Sequence, residues 1–293
     1  MDDYKPRDFV LRCGSYTLNL GRRTHIMGVL NVTPDSFSDR KHFLEPAAAI
    51  LHAKRMEAEG ADIIDIGAES SRPGSEPVSV REELSRLIPV LRELVNEVAV
   101  PISIDTYKAK VAEAALDSGA HMINDISGLH FDPDMASVVA RYKAAVVVMH
   151  IKGTPKDMQC KPVYDNLVQE IIDYLDQSLA LADEAGIDPE QIIVDPGIGF
   201  GKTVRHNLQI INRLSEFKVL GKPILIGTSR KSFIGRVLGL PVEQREEGTA
   251  ASVSCSILNG ANIVRVHDVA KMARVAKLTD AIKQADTYQD SEG

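Results

Sequence analysis

Apolar residues in this chain come in short runs that recur eight times, and most runs are followed by a stretch whose apolar positions return every three or four residues. The runs are 25–31 (HIMGVLN), 61–67 (ADIIDIG), 100–105 (VPISID), 120–126 (AHMINDI), 144–150 (AAVVVMH), 191–195 (QIIVD), 223–228 (PILIGT) and 262–267 (NIVRVH). They are rich in Val and Ile and short enough to be strands buried on both faces. Helical spacing predicts helices over residues 46–59, 80–97, 107–117, 165–184 and 247–258. Strand and helix alternating in this way is the pattern that closes a parallel sheet on itself. The expected fold class is therefore α/β, a (β/α)8 TIM barrel. A doubly wound open sheet is the alternative, but its Gly-x-Gly-x-x-Gly after the first strand is absent.

Ahead of the first run, residues 9–21 read as two short strands around Gly14-Ser15, an N-terminal β-hairpin placed to plug the lower end of the barrel. This divides the chain into a closing segment over 1–24, one barrel domain over 25–285 and a polar, frayed tail over 286–293.

Composition narrows the function classes. A length of 293 residues suits one barrel, and 44 % hydrophobic with 26 % charged residues is an ordinary globular balance. The net charge is −7, and no basic cluster is longer than Arg22-Arg23 or Arg230-Lys231, so nucleic acid is not an expected partner. A local basic site can still take a small anion. No apolar run reaches the roughly 18 residues of a membrane span, and the charged N-terminus lacks a signal peptide. Cys13, Cys160 and Cys255 show neither metal spacing nor a disulfide framework and read as free thiols. A cytoplasmic location is the expectation.

Barrel chemistry sits at the C-terminal ends of the strands. Those ends carry Asn31, Glu69, Asp105, Asn124 with Asp125, His150, Asp195, Thr228 with Ser229, and Arg265 with His267. Arg265 and His267 alternate with Val264 and Val266, so both project to one side of the last strand. Burying two such donors calls for an anion, or for an ion pair with Asp268 or Glu247. The loop after the seventh run, 227–233 (GTSRKSF), adds hydroxyls and cations where this fold habitually binds phosphate. Asp105, Asn124 and Asp195 suit the amino-amide edge of a flat heterocycle. The residues alone leave open a glycoside hydrolase, which low aromatic content disfavours, and a hard divalent metal site.

Eight motifs, 27–39 (MGVLNVTPDSFSD), 67–74 (GAESSRPG), 102–108 (ISIDTYK), 123–128 (INDISG), 149–159 (MHIKGTPKDMQ), 195–202 (DPGIGFGK), 227–235 (GTSRKSFIG) and 264–269 (VRVHDV), stand at the eight strand ends in order. Together they resemble the dihydropteroate synthase family. The resemblance implies condensation of 6-hydroxymethyl-7,8-dihydropterin diphosphate with 4-aminobenzoate to give 7,8-dihydropteroate and pyrophosphate, a Mg²⁺ requirement, a homodimer and a place in folate synthesis. By the same matching, Asp105, Asn124, Asp195 and Lys231 grip the pterin. Asn31, Arg265 and His267 hold the diphosphate, with Asn31 also near the metal. Ser71, Arg72, Phe200 and Ser232, with Thr33, Pro34 and Phe37, frame 4-aminobenzoate. Asp105, Lys231, Arg265 and His267 are the expected catalytic set. Three features depart from the family's common pattern: Arg40-Lys41 after Ser38-Asp39, Ala68 with Ser71, and Ile151-Lys152. None removes a pterin or diphosphate residue. A folate-dependent corrinoid methyltransferase shares the pterin contacts but needs no diphosphate clamp, and a silent pterin-binding paralogue is free to lose one.

Overall fold

The chain is described here by a computed structural model covering residues 9–33 and 46–288. Its eight parallel strands are β3 (His25–Asn31), β4 (Ile63–Gly67), β5 (Ile102–Asp105), β6 (Met122–Asp125), β7 (Ala145–Met149), β8 (Ile192–Asp195), β9 (Leu225–Ile226) and β10 (Ile263–Val266). They run in the spatial order β8-β7-β6-β5-β4-β3-β10-β9. A bridge between Val194 and Ile224 joins the two ends, so the sheet closes into the expected barrel. Closure leaves no open edge of unpaired backbone.

Outside the sheet lie α1 (Pro46–Ala58), α2 (Val80–Leu94), α3 (Ala109–Asp117), α4 (Met135–Tyr142), α5 (Leu167–Glu184), α6 (Val204–Asn212), α7 (Ser232–Leu238), α8 (Glu246–Leu258) and α9 (Val269–Lys283). Strand residues of even number in β4 and β5 (Ile64, Ile66, Ile102, Ile104) pack outward against the helices in the main core. Their odd-numbered neighbours, Asp65, Ser103 and Asp105, therefore face the lumen.

The lumen is filled in layers, as barrels require. Its lower layer is apolar: Met27, Ile63, Met122, Ala145, Val147, Ile193, Leu225 and Ile263. The expected hairpin is present as β1 (Val10–Cys13) paired antiparallel with β2 (Tyr16–Asn19). Leu11 and Cys13 on its inner face, with Leu20, are fully buried against that lower layer. Gly14 turns the hairpin at φ 57°, a left-handed conformation that disfavours other residues. The hairpin plugs the bottom, which leaves the polar upper layer as the ligand-facing side of the lumen among the described residues.

Several elements end short of the sequence expectation. The seventh run yields two strand residues, because Pro223 has no N–H to donate and Gly227-Thr228 already leave the sheet. The third helix starts at Ala109 instead of residue 107, since Lys108 is extended (φ −106°, ψ 117°). The second stops at Leu94, whereas α8 matches the expected helix over 247–258 within one residue. Of the expected tail, Asp286 and Thr287 belong to a single 3-10 turn (Ala285–Thr287), and residues from 289 on lie outside the described residues.

Candidate active site

Three charged side chains on three strands meet in the upper lumen. Arg265, on β10, donates from Nε to Asp65 Oδ2 at 2.7 Å and from Nη2 to Asp105 Oδ2 at 2.8 Å. Asn124, on β6, donates from Nδ2 to the same Asp65 oxygen at 3.0 Å. Register places Asp105 level with Asn124 on one side and Gly67 on the other. The four residues form one hydrogen-bonded belt across the barrel mouth. Asp65 is its hub: the residue is 0 % exposed, and among the described residues its Oδ1 accepts nothing.

The alternative to an anion for Arg265, an ion pair with Asp268 or Glu247, thus forms with other partners. Asp268 instead accepts from the Lys271 backbone N–H and caps α9, and Arg265 turns inward to Asp65 and Asp105. Asp65 is a residue the strand-end reading missed. It sits in mid-strand, and its signal was a carboxylate inside the apolar run ADIIDIG, which must be paired if it is buried.

Asp195 ends β8 and accepts the Gly197 N–H at 2.7 Å. Gly197 has φ 73°, and a Cβ there would lie 2.0 Å from the His150 carbonyl oxygen, so only glycine lets this loop fold against β7. Lys202 closes the loop: buried, it donates to the Phe200 carbonyl at 2.9 Å and lies 2.8 Å from His150 Nδ1. This pin was also missed as a site feature. It sets Phe200, whose ring lies under the Lys231 ammonium at 4.3 Å from its centroid. Phe200, Ile126, Met149, Ile151 and Met158 make an apolar wall at the barrel mouth.

Burial shapes the charges. It pushes Asp105 up to about 7, against the pull of Arg265, and Asp195 up to about 6, against the Gly197 N–H and Lys231. Lys231 is pushed down to about 8 by burial and by Arg265, with Asp195 and Asp105 opposing. His267 falls to about 3 through burial and the nearby Arg265, Arg230, Lys231 and Arg72, so it is neutral at pH 7. Its Nδ1 lies 3.0 Å from Ser229 Oγ, which also accepts the His267 backbone N–H. The Ser229 hydroxyl can donate to Nδ1 while it accepts that N–H, and in that arrangement the imidazole proton sits on Nε2, facing away from Ser229.

The remaining expected residues fall around this centre. Asn31 ends β3, half-buried, and its Oδ1 lies near Gly67. Thr33 follows it; Pro34 and Phe37 lie outside the described residues. Ser71 is half-buried and Arg72 exposed on the loop after β4, with Arg72 close enough to His267 to depress it. Ser232 is exposed at the first turn of α7. Among the described residues no three His, Cys, Asp or Glu side chains form a metal-holding group. None of their helices is long and apolar enough to cross a membrane.

The family model described as pterin binding enzyme matches residues 27–267. The dihydropteroate synthase of Bacillus subtilis is 51 % identical over 265 residues, 90 % of each chain. Among solved structures, a dihydropteroate synthase from Clostridium difficile crystallised in the presence of pteroic acid superposes with a TM-score of 0.86 at 49 % identity, covering 90 % of this chain and 98 % of that one. The Xanthomonas albilineans enzyme with 4-aminobenzoic acid gives 0.88 at 41 % identity, covering 94 % and 98 %. With its barrel, its belt of Asp65, Asp105, Asn124 and Arg265, and this likeness along nearly its whole length, the chain belongs to the dihydropteroate synthases of the pterin binding enzyme family.

Proposed function

We propose that the chain condenses 6-hydroxymethyl-7,8-dihydropterin diphosphate with 4-aminobenzoate, releasing pyrophosphate. The observation that carries this reading is the meeting of Asp105, Asn124 and Asp195 with Lys231 and Arg265 at one barrel mouth. It is supported by the pteroic acid and 4-aminobenzoic acid present with the solved relatives.

In this reading the pterin lies flat against the apolar wall. Asp195 accepts from its amino-amide edge, Asn124 supplies a donor and an acceptor, and Lys231 and Asp105 reach its remaining polar atoms. Asn124 and Asp105 are already aimed by Asp65 and Arg265, so little ordering is left for binding to complete. Arg265 holds the two carboxylates through Nε and Nη2, and its Nη1, with His267 Nε2, meets the diphosphate. The carbon–oxygen bond breaks with its electron pair leaving on diphosphate. The aniline nitrogen forms the new carbon–nitrogen bond and gives up one proton to solvent. Asp105 stabilises the positive charge that develops on the pterin and is not a general base. Fixed charges around the leaving oxygen are the main source of rate. Ser71, Arg72, Thr33, Phe200 and Ser232, with Pro34 and Phe37, frame 4-aminobenzoate.

Asn31 offers one neutral oxygen, and among the described residues no metal-holding cluster surrounds it. That donor set fits Mg²⁺, which keeps several waters and is held largely by substrate phosphates. When bound, the ion supplies neutralising charge to the leaving diphosphate. The family resemblance also supports a homodimer and a cytoplasmic location.

The test is product identification. The purified chain supplied with both substrates and Mg²⁺ is expected to yield dihydropteroate, identified by mass. Finding no dihydropteroate from a folded chain overturns the proposal.

A further inference from the structure

The loop after β4 leaves the strand at Gly67 and carries Glu69, Ser71 and Arg72. Glu69 is tied to the loop after β5. Tyr107 Oη donates to Glu69 Oε1 at 2.7 Å, and Lys108 Nζ pairs with Glu69 Oε2 and, at 2.6 Å, with Glu83 Oε2 of α2. The cluster is withdrawn from water: the side chains of Lys108, Glu69 and Glu83 are 14 %, 9 % and 1 % exposed. Exposed ion pairs hold little, but breaking a buried one leaves an uncompensated charge. The Tyr107 ring is itself seated, edge-on to Phe131 with centroids 5.6 Å apart and 4.9 Å from Lys108 Nζ.

Tyr107 and Lys108 follow Asp105 by two and three positions, and Ser71 and Arg72 follow Glu69 by the same intervals. One network therefore clamps the base of the β4 loop to the strand end that bears Asp105. Just before Glu69, Arg86 donates to the Ala68 carbonyl at 3.0 Å, and beyond Arg72 the loop is held by the Gly74 N–H to the Pro155 carbonyl at 2.9 Å. Between those ties, Ser71 and Arg72 depend on the clamp for their distance from the pterin site. A displacement of about 1 Å between two reacting partners can cost about a hundredfold in rate.

We propose that Glu69, Tyr107 and Lys108 are positioning residues for the 4-aminobenzoate subsite, clamping its loop to the pterin-bearing strand. This rests on the reading that Ser71 and Arg72 frame 4-aminobenzoate. None of the three need touch a substrate.

The test compares E69Q, Y107F and K108M with S71A and R72A. Steady-state kinetics are read for each substrate separately, with amide hydrogen exchange over residues 68–76. E69Q and K108M are expected to raise KM for 4-aminobenzoate about tenfold, and Y107F about threefold, the scale of one lost hydrogen bond. KM for the pterin diphosphate is expected to stay within about twofold. Exchange over 68–76 is expected to quicken. If K108M does not fold, E69Q and Y107F decide. Folded E69Q and Y107F with unchanged KM for 4-aminobenzoate, while S71A and R72A raise it, overturn the clamp alone. Unchanged KM in S71A and R72A overturns the subsite reading on which it rests.

Discussion

Arg265 Nη2 lies 2.8 Å from Asp105 Oδ2, and the same guanidinium holds Asp65 through Nε at 2.7 Å. Asp105 therefore stands beside a fixed cation before any substrate arrives, and Asp65 keeps Arg265 paired if Asp105 changes. Asp105→Asn should then fold, and kcat/KM for the pterin diphosphate should drop by about a hundredfold. Near-normal turnover in Asp105→Asn contradicts the charge-stabilising role.

The pH profile should report the same pair. Burial places Asp105 at about 7 in the free protein. Below that pH it is protonated and loses its hold on Arg265, so kcat/KM should fall on the acid side with a limb near 7. That limb should be missing from Asp105→Asn. A profile of identical shape in both proteins assigns the limb to another group.

Asp195 illustrates a cost in stability. Its folded pKa, about 6, lies above that of an unfolded aspartate, so the native state holds the extra proton between the two values. Stability from this group is full below roughly pH 4 and is lost as pH rises through 6. Asp195→Asn removes the buried charge and can still accept the Gly197 N–H. It should melt higher than the parent at pH 8, by on the order of 2 kcal/mol of stability, with the gap closing toward pH 4.5. Pterin binding should be lost. A lower melting temperature at pH 8 would show that Lys231 and Lys202 outweigh the burial.

His267 is neutral at pH 7, a hydrogen-bonding group and not a cation, and Ser229 at Nδ1 leaves Nε2 as the nitrogen that can face an anion. His267→Gln keeps a donor and should retain more diphosphate affinity than His267→Ala. Ser229→Ala removes the hydroxyl that holds Nδ1 and should weaken diphosphate binding by about threefold to tenfold. Titration calorimetry with pyrophosphate checks both; equal affinity in all three variants removes His267 from the anion site.

The bottom plug should affect stability alone. Leu11 is fully buried in the lower lumen, away from the belt. Leu11→Ala should cost about 2–5 kcal/mol. KM for both substrates should be unchanged at a temperature where the variant is folded. Denaturant unfolding and steady-state kinetics separate the two effects.

The barrel was legible because buried parallel strands are written as Val- and Ile-rich runs, and all eight runs became strands. Helices α4, α6, α7 and α9 were not individually foreseen. Two of them, Met135–Tyr142 and Ser232–Leu238, span barely two turns, too little for periodicity to stand out. The site was legible where chemistry sat at strand ends, as for Asp105, Asn124 and Asp195. It failed at Asp65, because a carboxylate in mid-strand has no role until the partner strands are known. Arg265 was read as facing an anion or Asp268, and only closure of the sheet brings it to Asp65, 200 residues away in sequence. The Glu69–Lys108–Glu83 cluster is likewise assembled by packing α2 beside the ends of β4 and β5, which no local spacing encodes.

The most direct test of the central claim is pyrophosphate release by the purified chain, with each component omitted in turn. Sustained release over many turnovers is predicted only when dihydropterin diphosphate, 4-aminobenzoate and Mg²⁺ are all present, matched one for one by dihydropteroate. Sustained release without 4-aminobenzoate, or none with all three, would contradict the account.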